Sequence, residues 1–122
     1  MPRAASARRY AQAVFELALE NRELEKWFDD LTLLSDSVSN QEFLDFLSQP
    51  RVTSEEKIGV VRDALGDLVE PLALNLMSLL ATKNIAHILP GITDRYQELL
   101  DAQQGIELAE AVTAIPLDDD EQ

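Results

Sequence analysis

Leu72-Ala73-Leu74-Asn75-Leu76-Met77-Ser78-Leu79-Leu80-Ala81 sets the architecture of the whole chain. Pro71 stands just before it, suited to a first helical turn because its missing N–H would go unpaired there anyway. Asn84 lies just after it and can take the left-handed conformation that ends a helix. At about 100° per residue the apolar side chains sweep well over half of the circumference, leaving Asn75, Ser78 and Thr82 as a narrow polar strip. An ordinary surface helix buries one apolar stripe and wets the rest. This helix is therefore either central in a bundle or carries more apolar surface than its own domain covers. It is too short to cross a bilayer, which takes about 20 residues.

The remainder of the composition narrows the choice. A chain of 122 residues is one domain by length, and an apolar fraction of 46% is enough for a single core. With 23 acidic residues against 10 basic ones the net charge is −13. That balance opposes nucleic-acid binding, which needs a basic footprint to displace counterions, and it opposes anionic membrane surfaces as well. Cysteine is absent, so disulfides, thiolate catalysis and zinc–thiolate sites are excluded. Nothing at the start reads as a secretory signal.

The pattern on either side of the central stretch is helical. From Ala4 to about Asn21, Ala7, Tyr10, Ala11, Val14 and Ala18 mark one face, widened by Ala13 and Leu17 on one side and Phe15 on the other. This arc is again broader than a core stripe, and its alanines would let another helix approach closely. Leu24 to Val38 is a clean amphipathic helix, with Leu24, Trp27, Phe28, Leu31, Leu34 and Val38 at spacings of three and four. Asp29, Asp30 and Asp36 are expected on its outer face. Ser39 with Glu42 reads as a capping box that opens a short helix ending before Pro50. Thr53 with Glu56 reads as a second, opening a helix to Leu65 with Gly66 as its stop. A sixth helix is expected from about His87 to Gln104, closed by Gly105.

After Gly105 the helical period is lost, and Val112 to Ile115 favours strand. Pro116-Leu117 breaks that segment, and Asp118 with Glu121 reads as the start of another helix. A lone strand and a single turn cannot be stable alone. The expectation is an all-α, compact six-helix bundle over residues 1–105, followed at 106–122 by a strand-like extension that begins a truncated second domain.

Chemical sites are sparse. His87 reads as a surface or capping residue. The glycines at 59, 66, 91 and 105 are scattered singly and build no phosphate loop. The acid pairs Glu55-Glu56 and Asp29-Asp30 read as solvated surface, and the acidic tail lacks the spacing of a calcium loop. No cofactor, metal or catalytic group is expected. What stands out is the surplus apolar surface on the first and fifth helices. Either both are simply central in the bundle, or they lie side by side and leave a groove for an amphipathic helix of another chain.

The segment Ala7-Arg8-Arg9-Tyr10-Ala11-Gln12-Ala13-Val14-Phe15-Glu16-Leu17-Ala18, followed by Trp27, resembles the N-terminal signature of the delta subunit family of F-type ATP synthase, whose mitochondrial counterpart is the oligomycin-sensitivity-conferring protein. Asn75-Leu76, Lys83-Asn84, Leu89-Pro90, Gly105, Val112-Thr113-Ala114 and Pro116-Leu117 extend the resemblance to the end of the chain. The resemblance implies a non-catalytic stator subunit of the peripheral stalk, whose N-terminal six-helix domain binds the N-terminal helix of an alpha subunit between its first and fifth helices. Carried over residue by residue, that groove falls on Tyr10, Ala13, Val14 and Leu17 and on Leu72, Asn75, Leu76 and Leu79. The family's C-terminal domain grips the b subunits of the stalk, and it is almost wholly absent here. The resemblance further implies a peripheral position on the cytoplasmic face of a bacterial membrane, with no direct membrane insertion and no nucleic-acid partner. The competing reading is a helical adaptor or regulatory domain for a different amphipathic helix.

Overall fold

The computed structural model describes residues 3–114, and the described residues form an all-α bundle with no strand. Its helices are α1 (Arg3–Glu20), α2 (Leu24–Val38), α3 (Gln41–Ser48), α4 (Ser54–Leu65), α5 (Pro71–Thr82) and α6 (Leu89–Ala114), with a single 3-10 turn at Ala86–Ile88 before the last. α6 packs chiefly on α1 and α2, and α5 packs chiefly on α4.

Local chemistry accounts for the boundaries. Pro71 occupies the first turn of α5. Asn84 ends that helix with φ 61°. The N–H of Ile85 then reaches the Leu80 carbonyl at 2.9 Å and that of Asn84 reaches Ala81 at 3.0 Å, the crossed pair of a Schellman motif. α1 ends in the same way, with Arg22 at φ 59°. There Glu23 N–H donates to Ala18 at 2.8 Å and Arg22 N–H to Leu19 at 3.2 Å. The Thr53–Glu56 capping box is present with both bonds, at 3.1 Å and 3.0 Å.

Several expectations need correction. The short helix α3 is capped by Asn40, whose Oδ1 accepts from Phe43 N–H at 3.0 Å, and not by Ser39. Ser39 is the last cap of α2 instead, its hydroxyl donating back to the Asp36 carbonyl at 2.6 Å. Gly66 does end α4 as expected, but as a C-cap in a right-handed and not a left-handed conformation. Asp30 does not face outward; it is buried, at 6% exposure. The sixth helix does not stop at Gly105. It continues to Ala114, so the strand-like extension is helix as far as the description reaches, and the boundary expected at residue 105 falls inside α6. A glycine in a helix costs only about 1 kcal/mol relative to alanine. Here strong helix formers flank it, Gln103 and Gln104 before and Glu107 to Ala111 after. Gln103 Nε2 also bridges the glycine to Glu107 Oε2 at 3.4 Å. The readings of Ile115, Pro116-Leu117 and Asp118 to Glu121 lie outside the described residues.

The core gathers around Tyr96 of α6, which is fully buried with Leu31 and Leu34 of α2 and Met77 and Leu80 of α5. Its ring meets Phe15 edge-on, with centroids 5.8 Å apart, and stacks on Phe28 at 6.5 Å. Its hydroxyl donates to the Leu24 carbonyl, tying α6 to the start of α2. Burial pushes the Tyr96 hydroxyl well above the usual tyrosine range, which keeps it a donor. The alanine face of α1 is used against α6: Ala7, Ala11 and Ala18 are buried, and a methyl added at Gly91 would stand 3.3 Å from the Ala7 Cβ.

Candidate partner-binding groove

Because α1 commits its alanine face to α6 while α5 packs mainly on α4, these two helices do not interlock with each other. Between them runs a groove of about 350 Å³, lined by Tyr10, Ala13, Val14 and Leu17 of α1, Leu72, Asn75, Leu76 and Leu79 of α5, and Trp27 of α2. Every position expected to line a groove is brought to this one place. Their exposures differ in an orderly way. Val14 and Trp27 are buried, at 7% and 5%, and form the floor. Tyr10, Leu17 and Leu76 are half-buried, while Ala13 and Asn75 are exposed. Leu72 and Leu79 stand 49% and 43% exposed on the α5 wall, although both belong to the most apolar helix of the chain. The two readings left open by the sequence are thus both partly realised. One side of α5 is core, through Ala73, Met77, Leu80 and Ala81, and the opposite side is unpartnered.

A sequence model of the ATP synthase delta (OSCP) subunit family matches residues 7–122. The chain belongs to that family. Among its relatives, an ATP synthase subunit delta of Dehalococcoides mccartyi (strain ATCC BAA-2266 / KCTC 15142 / 195) is 37% identical over 112 residues, covering 92% of this chain and 61% of the relative. One from Salinibacter ruber is 38% identical over 114 residues, covering 93% and 60%. A chloroplastic subunit delta of Ochrosphaera neapolitana is 32% identical over 109 residues, covering 88% and 61%. The chain therefore spans about 61% of the length of such relatives.

In this delta-family chain the groove closes, at the Leu72 end, on a polar corner. A smaller hollow of about 190 Å³ there is lined by Glu23, Lys26, Trp27, Asp30, Glu70, Pro71 and Leu72. Asp30 Oδ2 accepts the Glu70 N–H at 3.2 Å, so a carboxylate from α2 serves the first turn of α5, where Glu70 itself makes no side-chain cap. A negative charge at a helix N-terminus is favourable there. Lys26 pairs with Glu70 at 3.1 Å, and that hydrogen bond, helped by the Glu70 charge, holds the Lys26 ammonium above its ordinary pKa. Both side chains are about half exposed, so the pair adds little stability. The sequence reading placed Trp27 in the core and Asp30 on the surface. Periodicity identifies Trp27 as inward-facing but does not separate a core residue from a groove floor.

A larger hollow, about 610 Å³, lies elsewhere, between the α1–α2 corner and α6. It is open and carries Arg22, Glu23, Glu25, Lys26 and Glu107, charges that stay solvated, so it has less to gain from a partner than the apolar groove. His87 is exposed on the 3-10 turn. Among the described residues no cluster of three or more metal-ligating side chains occurs, and no helix is long and apolar enough to cross a membrane.

Proposed function

We propose that this chain is a stator subunit of the peripheral stalk, holding the catalytic head of F-type ATP synthase by taking the N-terminal helix of an alpha subunit into the α1–α5 groove. The observation that carries this is the groove itself, lined by Tyr10, Ala13, Val14, Leu17, Leu72, Asn75, Leu76 and Leu79. An amphipathic helix presents apolar anchors at spacings of three and four, which fit a trough between two helices. Tyr10 and the leucines supply buried contact area, Ala13 keeps the trough open, and Asn75 offers a hydrogen bond at its edge.

The mechanics need no catalytic group. A turning rotor drags the catalytic head with it unless the head is anchored. A grip on alpha, relayed through the stalk to the membrane, keeps the head still while the rotor turns. In this reading the grip on the b subunits belongs to the family's C-terminal domain, and the chain sits at the membrane as a peripheral component of the complex, on the cytoplasmic face in a bacterium.

The test is binding of the chain to the isolated catalytic head, before and after proteolytic trimming of the alpha N-termini. Binding to the intact head and none to the trimmed one is expected. Equal binding to both would overturn the reading.

A further inference from the structure

We propose that the groove dictates the direction of its occupant: a helix with acidic residues in its first turn and basic residues in its last, lying parallel to α1, with its C-terminal end beside Trp27 and Leu72. This rests on the reading that the groove takes a partner helix, and it adds which partner charges the groove selects and which way round they lie.

The two walls run antiparallel. Ala7, in the early turns of α1, meets Gly91 near the start of α6, and the 3-10 turn that follows α5 packs against α1. At the other end Glu23 and Trp27, just beyond α1, share a hollow with Pro71 and Leu72 at the start of α5. The beginning of α1 therefore lies beside the end of α5, and the end of α1 beside the beginning of α5.

Charge is segregated along this axis on both walls. On α1, Arg9 sits four residues before the groove residue Ala13 and so shares its row, while Glu20 lies in the same row two turns further on. Glu23 follows Glu20 at the same end. α5 carries no charge from Pro71 to Thr82, but Glu70 precedes it and Lys83 follows it. Both walls thus put cations at the Tyr10–Leu79 end and carboxylates at the Trp27–Leu72 end. Two cations stand among these carboxylates, Lys26, which is tied to Glu70, and Arg22 in the turn after α1, so with Glu20, Glu23, Asp30 and Glu70 that end keeps a net negative charge. In a chain of net charge −13 a basic end is the exception, and its position is not a consequence of composition.

The end dipoles of two antiparallel walls oppose each other at each mouth, so the side-chain charges decide the field there. An ordinary helix complements its own dipole with acids in the first turn and bases in the last. Such a helix meets opposite charges at both ends only when its N-terminus lies by Arg9 and Lys83 and its C-terminus by Glu20, Glu23 and Glu70. The reverse orientation sets like charges together at both ends. Rim charges of this kind act mainly on association rate and its salt dependence.

The experiment uses the full chain, isotope-labelled, and the N-terminal helix peptide of the alpha subunit from the same ATP synthase, carrying a nitroxide at one end or the other. A C-terminal label is expected to broaden amide signals around Trp27 and Leu72, and an N-terminal label those around Tyr10 and Leu79. The opposite pattern overturns the direction while leaving the groove reading standing; no broadening at either end overturns both. In parallel, the Arg9→Glu/Lys83→Glu and Glu20→Lys/Glu23→Lys variants, each verified as folded by circular dichroism, are expected to slow association about tenfold at low salt. Unchanged association in both variants means that charge does not set the direction.

Discussion

Replacing Tyr96 with phenylalanine isolates the bond that joins α6 to α2. Tyr96 is fully buried, and its ring contacts with Phe15 and Phe28 survive the change. Only the hydroxyl is lost, with its hydrogen bond to the Leu24 carbonyl. A net intramolecular hydrogen bond contributes about 1 kcal/mol, and the void left by one oxygen is too small to add much. The expected loss is about 1–1.5 kcal/mol. For a domain of this size that corresponds to a fall in melting temperature of about 3–6 °C. Tyr96→Ala removes the ring as well and should cost about 3–5 kcal/mol, a large part of the stability of a small domain. Burial raises the Tyr96 pKa above its unfolded value, so the native state holds this proton more tightly. The resulting stability is full below about pH 10 and is lost as pH rises beyond it, a component that the phenylalanine variant lacks. Thermal melts by circular dichroism at neutral pH and at pH 10 to 11 measure both effects. A Tyr96→Phe variant as stable as the parent at neutral pH would refute the claim that this bond, beyond the ring packing, holds α6 on α2.

Three further changes test the local chemistry. Asp30→Ala removes the buried carboxylate that accepts the Glu70 N–H at the start of α5, and should lower stability by about 1–2 kcal/mol in urea unfolding. Arg22→Gly relieves a left-handed residue and should raise the melting temperature, by the equivalent of up to about 1 kcal/mol. Asn84→Gly also suits a positive φ, but it removes the acceptor of the buried Lys57 ammonium, so it should destabilise by about 1–2 kcal/mol where the first glycine stabilises.

What the sequence revealed and what it hid divide along physical lines. α5 was legible at both ends because proline and a left-handed asparagine each have one strongly preferred place. The Thr53–Glu56 cap was legible because both partners of the box are present, three residues apart. The start of α3 was not, because Ser39 and Asn40 are both good caps and tertiary context gave Ser39 to the helix before. The end of α6 was misread because a single glycine followed by Val112-Thr113 suggests strand, yet the Glu107 to Ala111 run outweighs it. Ile106, Leu108 and Val112 remain exposed there, so no core contact arbitrates. At the groove, the wide apolar arcs of α1 and α5 showed surplus surface, and the family resemblance named its residues. The floor under Trp27 and the buried Asp30 depend on how α2 crosses both helices, which no periodicity records.

The central claim is most directly tested by calorimetric titration of the chain with a synthetic alpha N-terminal helix peptide, repeated with Ala13→Asp. Ala13 is exposed and lines the groove, so a carboxylate there should leave the fold intact but sit unpaired against an apolar partner. The account predicts one-to-one binding by the parent chain and a loss of about 100-fold or more in the variant, with unchanged helical content and melting. No binding by a well-folded parent chain, or equal binding by both chains, would contradict it.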